Sequence, residues 1–442
     1  MSKEALFDAV IIGAGPAGMI AIHELANLKI AVIEKGSSIG KRAAIISGKK
    51  VAEHAADAEV EGIAGAGGWS DGKLCLGPVG ILDQFLGHDY DKEVELVNKI
   101  FKKILGSKYR LPDDKVGSTK FSKALVQEVT MVANLGTSTV RLAFQRIHAK
   151  ARKTGVKFFL EDPAMDINEE KGVFIVKTKG GKILYAKNVI VATGKCDITL
   201  VPKLVNKFHL KTIPTIPTLG FRIIVPRQEL AQMKSFGNNP KLKYRLPNGD
   251  KVKTHCFTFQ GEIIGYACDR YTFVGGRADS EHLTDYATVA ILYKFSSDSA
   301  PKVRKKMLYS TLNAINKAYP HKLIYQDMLS FMEAGKKQHK TSLPLPKIAV
   351  LGNLIKYYPK HIVNATRAFI TNLSTTYGMD IKKGAIVGPA AEWISDAIAT
   401  SLEMETKKKR LYIVGDGSGI TQGIIASAVC GYRAAHAILN KN

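Results

Sequence analysis

Cysteine is scarce in this 442-residue chain, and its five copies, Cys75, Cys196, Cys256, Cys268 and Cys430, are scattered. No C-x-x-C pair occurs, which excludes a dithiol redox motif and a close-spaced zinc site, so no metal is expected. Scattered thiols fit a reducing cytosol, and a cytoplasmic location is the expectation. No uninterrupted apolar run approaches the ~18 residues of a spanning helix, so no transmembrane segment is expected. The apolar start of the chain is broken by Asp8, which argues against a secretory signal. Acidic residues are also short, at 39 against 64 Lys and Arg, leaving a formal charge of +25. Basic clusters such as Lys102-Lys103, Arg304-Lys305-Lys306 and Lys407 to Arg410 form neither tail nor repeat. That spread reads first as a solvated surface. An anionic substrate, nucleic acid or an anionic membrane surface are the partner classes that the charge also admits, nucleic acid the less favoured. Composition says nothing of oligomeric state.

What is present is a β-α-β unit at the start of the chain. Phe7 to Ile12 is a short apolar run suited to a buried parallel strand, Pro16 to Leu28 reads as a helix, and Ile30 to Ile33 as a second strand. A right-handed crossover and a parallel sheet follow from that order. Residues 91–105 and 119–153 read as helices. A meander of strands is expected at 156–160, 172–179 and 182–185, with breaks at 168–170 and 180–181, followed by a strand over 188–192. Between about 200 and 385 the character changes: Pro202, Pro214 and Pro217 suggest a crossing between domains. Strands are expected at 219–225, 252–259, 262–267 and 271–274, helices at 281–296 and 302–318, and little is legible over 335–385. After 385 a short strand, 411–414, a Gly-rich turn and an Ala- and Gly-rich helix to residue 439 return to the opening style. The expected organisation is a discontinuous nucleotide-binding domain, 1–200 plus 386–442, with a mixed α+β substrate domain, 201–385, inserted.

The turn "GAGPAG" places Gly13, Gly15 and Gly18 at G-x-G-x-x-G spacing. Gly13 permits the tight turn, Gly15 lets a pyrophosphate approach the backbone, and Gly18 lets the helix pack close. Pro16 and Ala17 open the helix, whose free N–H groups and positive end favour phosphate. Glu34 ends the second strand where a carboxylate meets ribose hydroxyls, with Lys35 beside it and Arg42 as a candidate to neutralise pyrophosphate. These features point to dinucleotide binding and leave FAD and NAD(P) open.

"GAGPAG" followed by "IEKG" resembles the glutathione-reductase-type FAD domain, shared with p-hydroxybenzoate hydroxylase and geranylgeranyl reductases. "IVATGK", Ile190 to Lys195, resembles the strand-to-turn motif that runs beside the cofactor, through Ala192, Thr193 and Gly194. "LYIVGDGSGITQG", Leu411 to Gly423, resembles the late Gly-Asp motif, which implies FAD contacts at Gly415, Asp416, Gly419, Gly423 and Ile424. Ala164 resembles the position whose backbone meets adenine. "GAGGWSDGKL", Gly65 to Leu74, is similar to the "GGAGTFSDGKL" signature of a bacterial and archaeal family of FAD-dependent dehydrogenases. Further similar segments are Leu135 to Phe158, Leu219 to Arg227 and His255 to Gly265. The resemblance implies FAD, and a loop of Gly67, Gly68, Ser70, Asp71 and Gly72 over the cofactor. Cys256 is followed by Phe and Thr where the family commonly has a second Cys and Pro, and residues 335–390 match poorly.

The chain is therefore expected to be an FAD-dependent oxidoreductase, a dehydrogenase or reductase using hydride transfer at flavin N5. NAD(P)H is a candidate transient electron donor or acceptor, since no second G-x-G-x-x-G exists. No catalytic residue is assigned, and Lys73 and Cys256 are the candidates; adjacent strand residues face opposite sides, so His255 is not expected to pair with Cys256. Arg222 and Arg227 are candidates for holding an anion. Alternatives are an isoprenoid lipid double-bond reductase, an FAD-dependent tRNA-modifying enzyme and, from a different class, a flavin-binding sensor.

Overall fold

The computed structural model describes residues 6–50, 55–77, 80–87, 89–109, 125–128, 132–237, 239–296, 298–333 and 338–441. The chain divides into two compact units, the first of residues 1–112, 133–213 and 396–442, the second of 113–132 and 214–395.

The first unit is built on a parallel sheet. Its strands are β1 (Leu6–Ile12), β2 (Ile30–Glu34), β3 (Lys157–Leu160), β4 (Ala164–Glu170), β5 (Val173–Thr178), β6 (Ile183–Val191) and β7 (Leu411–Ile413). The order is β3-β2-β1-β6-β5-β4, with β7 also paired to β6. β3, β2, β1, β6 and β7 run parallel, while β5 and β4 form an antiparallel meander on the early half of β6. Along β1, Ala9 and Ile11 enter one core and Phe7, Val10 and Ile12 enter the other. Burial on both faces is why the strand reads as an unbroken apolar run. The helices of this unit include α1 (Pro16–Leu25), α2 (Thr137–Lys153) and α3 (Ile424–Leu439). α3 lies tight on α1, because a β-carbon at Gly431 would sit 2.0 Å from the Ala17 carbonyl oxygen. This is the Rossmann-like dinucleotide-binding fold.

The second unit centres on an eight-stranded sheet. In its middle, Thr218–Pro226 is antiparallel to both Tyr286–Lys294 and Ala385–Glu392, and Tyr286–Lys294 pairs in turn with Lys251–Thr258. A hairpin, Glu262–Cys268 with Tyr271–Arg277, contributes Ile263 and Val274 to a core shared with Ile224, Ala290, Leu292 and Val387.

Several expectations need correction. Residues 281–296 were expected to be helical, but Tyr286–Lys294 is a central strand, buried at every position but its two ends. A strand buried on both faces loses its alternation, and period alone cannot then separate it from a helix. The helix expected at 119–153 begins only at Thr137, after short strands at Leu125–Glu128 and Val132–Asn134; its residues 119–124 and 129–131 lie outside the described residues. The break expected at 168–170 is the end of β4, and the weak region 335–385 contains the helix Lys360–Tyr377. The boundary expected after 385 falls after Ser395, because Ala385–Glu392 pairs within the second sheet.

Candidate functional site

The turn between β1 and α1 is shaped by its glycines. Gly13 sits at φ +99°, and a β-carbon there would lie 2.4 Å from the Ala192 carbonyl oxygen. One at Gly18 would lie 2.0 Å from the Gly13 carbonyl oxygen. Both glycines are demanded by the fold. Gly15 is different: its backbone is extended at φ −74°, and a β-carbon would meet only the Gly65 Cα, at 4.0 Å. The space in front of Gly15 is unfilled by the protein.

The loop of residues 62–72 lies directly on this turn. The Ala64 N–H donates to the Ala14 carbonyl at 2.8 Å. A β-carbon at Gly65 would lie 2.9 Å from Gly15 Cα, and one at Gly67 would lie 2.8 Å from Pro16 Cγ and 3.1 Å from Ile424 Cγ1. At Gly72, φ is +65° and a β-carbon would meet the Gly136 carbonyl carbon at 2.2 Å. The loop therefore touches the N-termini of α1, α3 and α2 in turn. Those helices are capped by Gly15, Gly423 and Gly136, none of which offers a side-chain cap, and none has an acidic residue in its first turn. Uncapped N–H groups and partial positive charge favour an anion. The Thr193 hydroxyl is buried without a hydrogen-bond partner, and it lies 3.4 Å from a β-carbon built on Gly417. An unfilled cradle, uncapped helix ends and an orphaned hydroxyl fit a dinucleotide.

Glu34, only 6 % exposed, is already engaged. Its Oε2 accepts the Ala14 N–H at 2.7 Å, and its Oε1 accepts those of Gly36 and Gly62 at 2.8 and 2.9 Å. The carboxylate thus ties turn, strand and loop together, and Oε2 alone retains room for a ribose hydroxyl. Arg42 is corrected more sharply. It is fully buried, donating to the carbonyls of Ala58, Gly62, Ile63 and Gly65. Burial pushes its guanidinium down to about 9, against the pull of Glu34. Its donors are committed to the loop rather than to a pyrophosphate. It also stacks 3.7 Å from the Trp69 ring centroid, with Arg141 at 4.7 Å. Arg141 reaches the Gly68 carbonyl at 3.0 Å.

Sequence reasoning missed Trp69, Arg141 and Thr137, whose hydroxyl donates to the Ser70 carbonyl at 2.8 Å. A Gly immediately before a basic helix was the available signal for the last two. Asp71 and Lys73 pair with each other at 2.9 Å, both nearly buried, so Lys73 is not a bare cation. Lys35 pairs with Glu61 at 2.5 Å on the surface side. Gly68 packs on Ala64, where a β-carbon built on the glycine would lie 2.7 Å from that methyl. Ala164 opens β4, beside residues 161 and 162 whose N–H groups donate to the Gly36 and Glu34 carbonyls.

At the other wall, Gly415 has φ +69° and faces Ala17, while Gly419 packs instead on Ala397. Asp416 accepts from Ser427 at 2.7 Å and Thr421 at 3.0 Å. Burial raises its carboxyl above the usual range, opposed by those hydroxyls and by Lys195. In the second unit Cys256 is a free thiol with a left-handed backbone, φ +49°. His255 pairs with Glu392 at 2.6 Å. Arg227 lies on the surface, 3.6 Å from Asp285. Cys75 and Cys430 are free thiols as well. Among the described residues no helix is long and apolar enough to cross a membrane.

Residues 7–217 match the family model described as pyridine nucleotide-disulphide oxidoreductase. The match marks an FAD-dependent oxidoreductase. No curated protein matches the oxidoreductase in sequence. Among solved structures it is similar to a glycine oxidase from Geobacillus kaustophilus, at 12 % identity over 99 % of this chain and 96 % of that one, with TM-score 0.41. It is also similar to a flavoprotein/dehydrogenase from Cytophaga hutchinsonii, at 10 % identity over 99 % and 79 % of the two chains, with TM-score 0.41. A third is aklavinone-11 hydroxylase in complex with FAD and aklavinone, at 10 % identity over 98 % and 63 %, with TM-score 0.44.

Proposed function

We propose that the protein is a dehydrogenase or reductase that holds FAD in the first unit and exchanges hydride between it and an organic substrate. FAD supplies the two-electron chemistry through N5 when it is bound. The observation that carries the reading is the open space at Gly15, the one glycine of the β1–α1 turn whose missing side chain serves no close contact within the protein. On this reading the free N–H groups of α1 take the pyrophosphate, and Glu34 Oε2 takes a ribose hydroxyl. Asp416 and the Gly423–Ile424 end of α3 form the opposite wall, with Ala192, Thr193 and Gly194 along its floor. The loop of residues 62–72 excludes water from the cradle, held from behind by Arg42 and Trp69. Asp71 and Lys73 enter as a neutral pair, so their effect on the cofactor is steric more than electrostatic. NAD(P)H is proposed as a transient donor or acceptor.

The experiment compares Gly15→Ala with the parent protein. Because a β-carbon there meets nothing closer than 4.0 Å, the apoprotein should melt within about a degree of the parent. FAD retained through gel filtration should fall by an order of magnitude or more. Equal FAD occupancy in the two proteins would remove the cradle assignment. Anaerobic bleaching with NADH, NADPH and dithionite then identifies which donor the flavin accepts.

A further inference from the structure

The second unit holds a buried cation that the cradle does not use. Arg222 is 2 % exposed in the middle of the central sheet. Its Nε donates to Thr288 Oγ1 at 2.9 Å and its Nη2 to the Cys256 carbonyl at 2.6 Å. Both acceptors are neutral. Among the described residues no carboxylate lies within ion-pair distance of the guanidinium. An unpaired buried charge is costly, and a guanidinium cannot shed its proton to escape the cost. Two neutral acceptors do not require an arginine, and an uncompensated buried charge is destabilising.

The neighbours of Arg222 across the sheet follow from the strand register. In antiparallel pairs, residues directly opposite share a face. Arg222 lies opposite Ala290, and Ala290 lies opposite His255, so cation, methyl and imidazole form a row across three strands. Ala290 contributes only its methyl between the two polar side chains. Behind Arg222 the hairpin offers Gly276, where a β-carbon would lie 1.8 Å from Nη2, so any side chain there would displace the guanidinium. Nearby acids are committed elsewhere. Glu392 accepts from His255 at 2.6 Å and lies 3.5 Å from Lys253, while Glu262 is held by Arg277 at 2.7 Å. The positive charge of Arg222 is left in excess on this face.

We propose that Arg222 binds an oxyanion group of the substrate, a carboxylate or a phosphate. A charge-assisted bond to the guanidinium supplies the missing counter-charge. Only the word substrate rests on the oxidoreductase reading; the anion site is tested without turnover.

The test uses the FAD-loaded protein and its Arg222→Met and Arg222→Lys variants. Melting temperature is followed while sodium acetate, sodium succinate or inorganic phosphate is added, against sodium chloride at matched ionic strength. An anion that binds only the folded state raises the melting point by mass action. The parent should show a rise of several degrees with the carboxylates or with phosphate but not with chloride, and whichever works identifies the group. Arg222→Met should abolish the rise while FAD stays bound and the salt-free melting point does not fall. Arg222→Lys, the fallback if the methionine variant does not fold, keeps the charge but loses the fork and should bind on the order of tenfold more weakly. A parent that responds only as it does to chloride overturns the proposal. So does a rise that survives in both variants. FAD occupancy, read separately by absorbance, keeps failure of the anion site distinct from failure of the cradle.

Discussion

Two carboxylates in the first unit behave unlike generic cofactor ligands. Glu34 satisfies three buried backbone donors, so its removal damages the empty cradle as well as any bound ribose. Glu34→Ala strands those N–H groups and should cost the apoprotein about 3 kcal/mol or more in urea unfolding. An unchanged apoprotein midpoint would show that Glu34 serves the ligand alone. Asp416 has the opposite balance. Its carboxyl is raised by burial, so the folded chain holds a proton more tightly than the unfolded one. Stability therefore falls as pH rises from 3.8 through the raised value. Asp416→Asn should raise the melting point of the apoprotein while weakening FAD retention. A lower melting point would mean that the bonds from Ser427 and Thr421 need the charge more than burial penalises it.

Gly67 sits where helix ends meet, and its place makes the loop an element with a mechanical role. A β-carbon there presses on Pro16 and Ile424 at once. Gly67→Ala should push the starts of α1 and α3 apart, with a melting point lowered by several degrees and FAD retention reduced; a variant that matches the parent in both would show that the contact relaxes freely. This wedge explains why the motif "GAGGWSDG" could be seen in the sequence while its mechanics could not. Glycine spacing announces a close approach but not what approaches. The approaching elements are α2 and α3, which start after Gly136 and Gly423, far away in the chain. The same asymmetry holds for Arg42. Its position soon after β2 suggested a phosphate partner, yet four carbonyls of the following segment had first claim on its donors. The helix α3 after Gly423 was legible, and α2 was legible in its body but not in its start after Gly136; Tyr286–Lys294 was not, because burial on both faces erased its period.

At the scale of the molecule, the nucleotide-binding half was legible because phosphate chemistry constrains backbone, and backbone constraints show as glycines at fixed spacing. In the second unit the chemistry-bearing side chains sit on a sheet, where Arg222 and His255 share a row only through strand pairing. Acid stability tests how such buried groups were set. Burial lowers the proton affinity of His23 and His148 in the first unit and of His255 in the second, relative to the ordinary 6.5. Around His23, Glu24 opposes this and Lys150 and Lys103 add to it; Arg152 adds to it at His148. In each case the unfolded chain binds more protons than the folded one just below pH 6.5, so stability is lost as pH falls through that interval. Asp162 and Asp166, lowered by ion pairs with Lys182 and Lys207, act in the same direction but only below the ordinary 3.8. The two sets therefore separate on the pH axis. Replacing His23 and His148 together by Gln should flatten the dependence of the urea midpoint between about pH 7 and 5 while leaving the steeper loss below pH 4. If parent and double variant lose stability in parallel from neutral pH downward, the histidines are not the proton acceptors, and the early acid sensitivity belongs to the excess of positive charge.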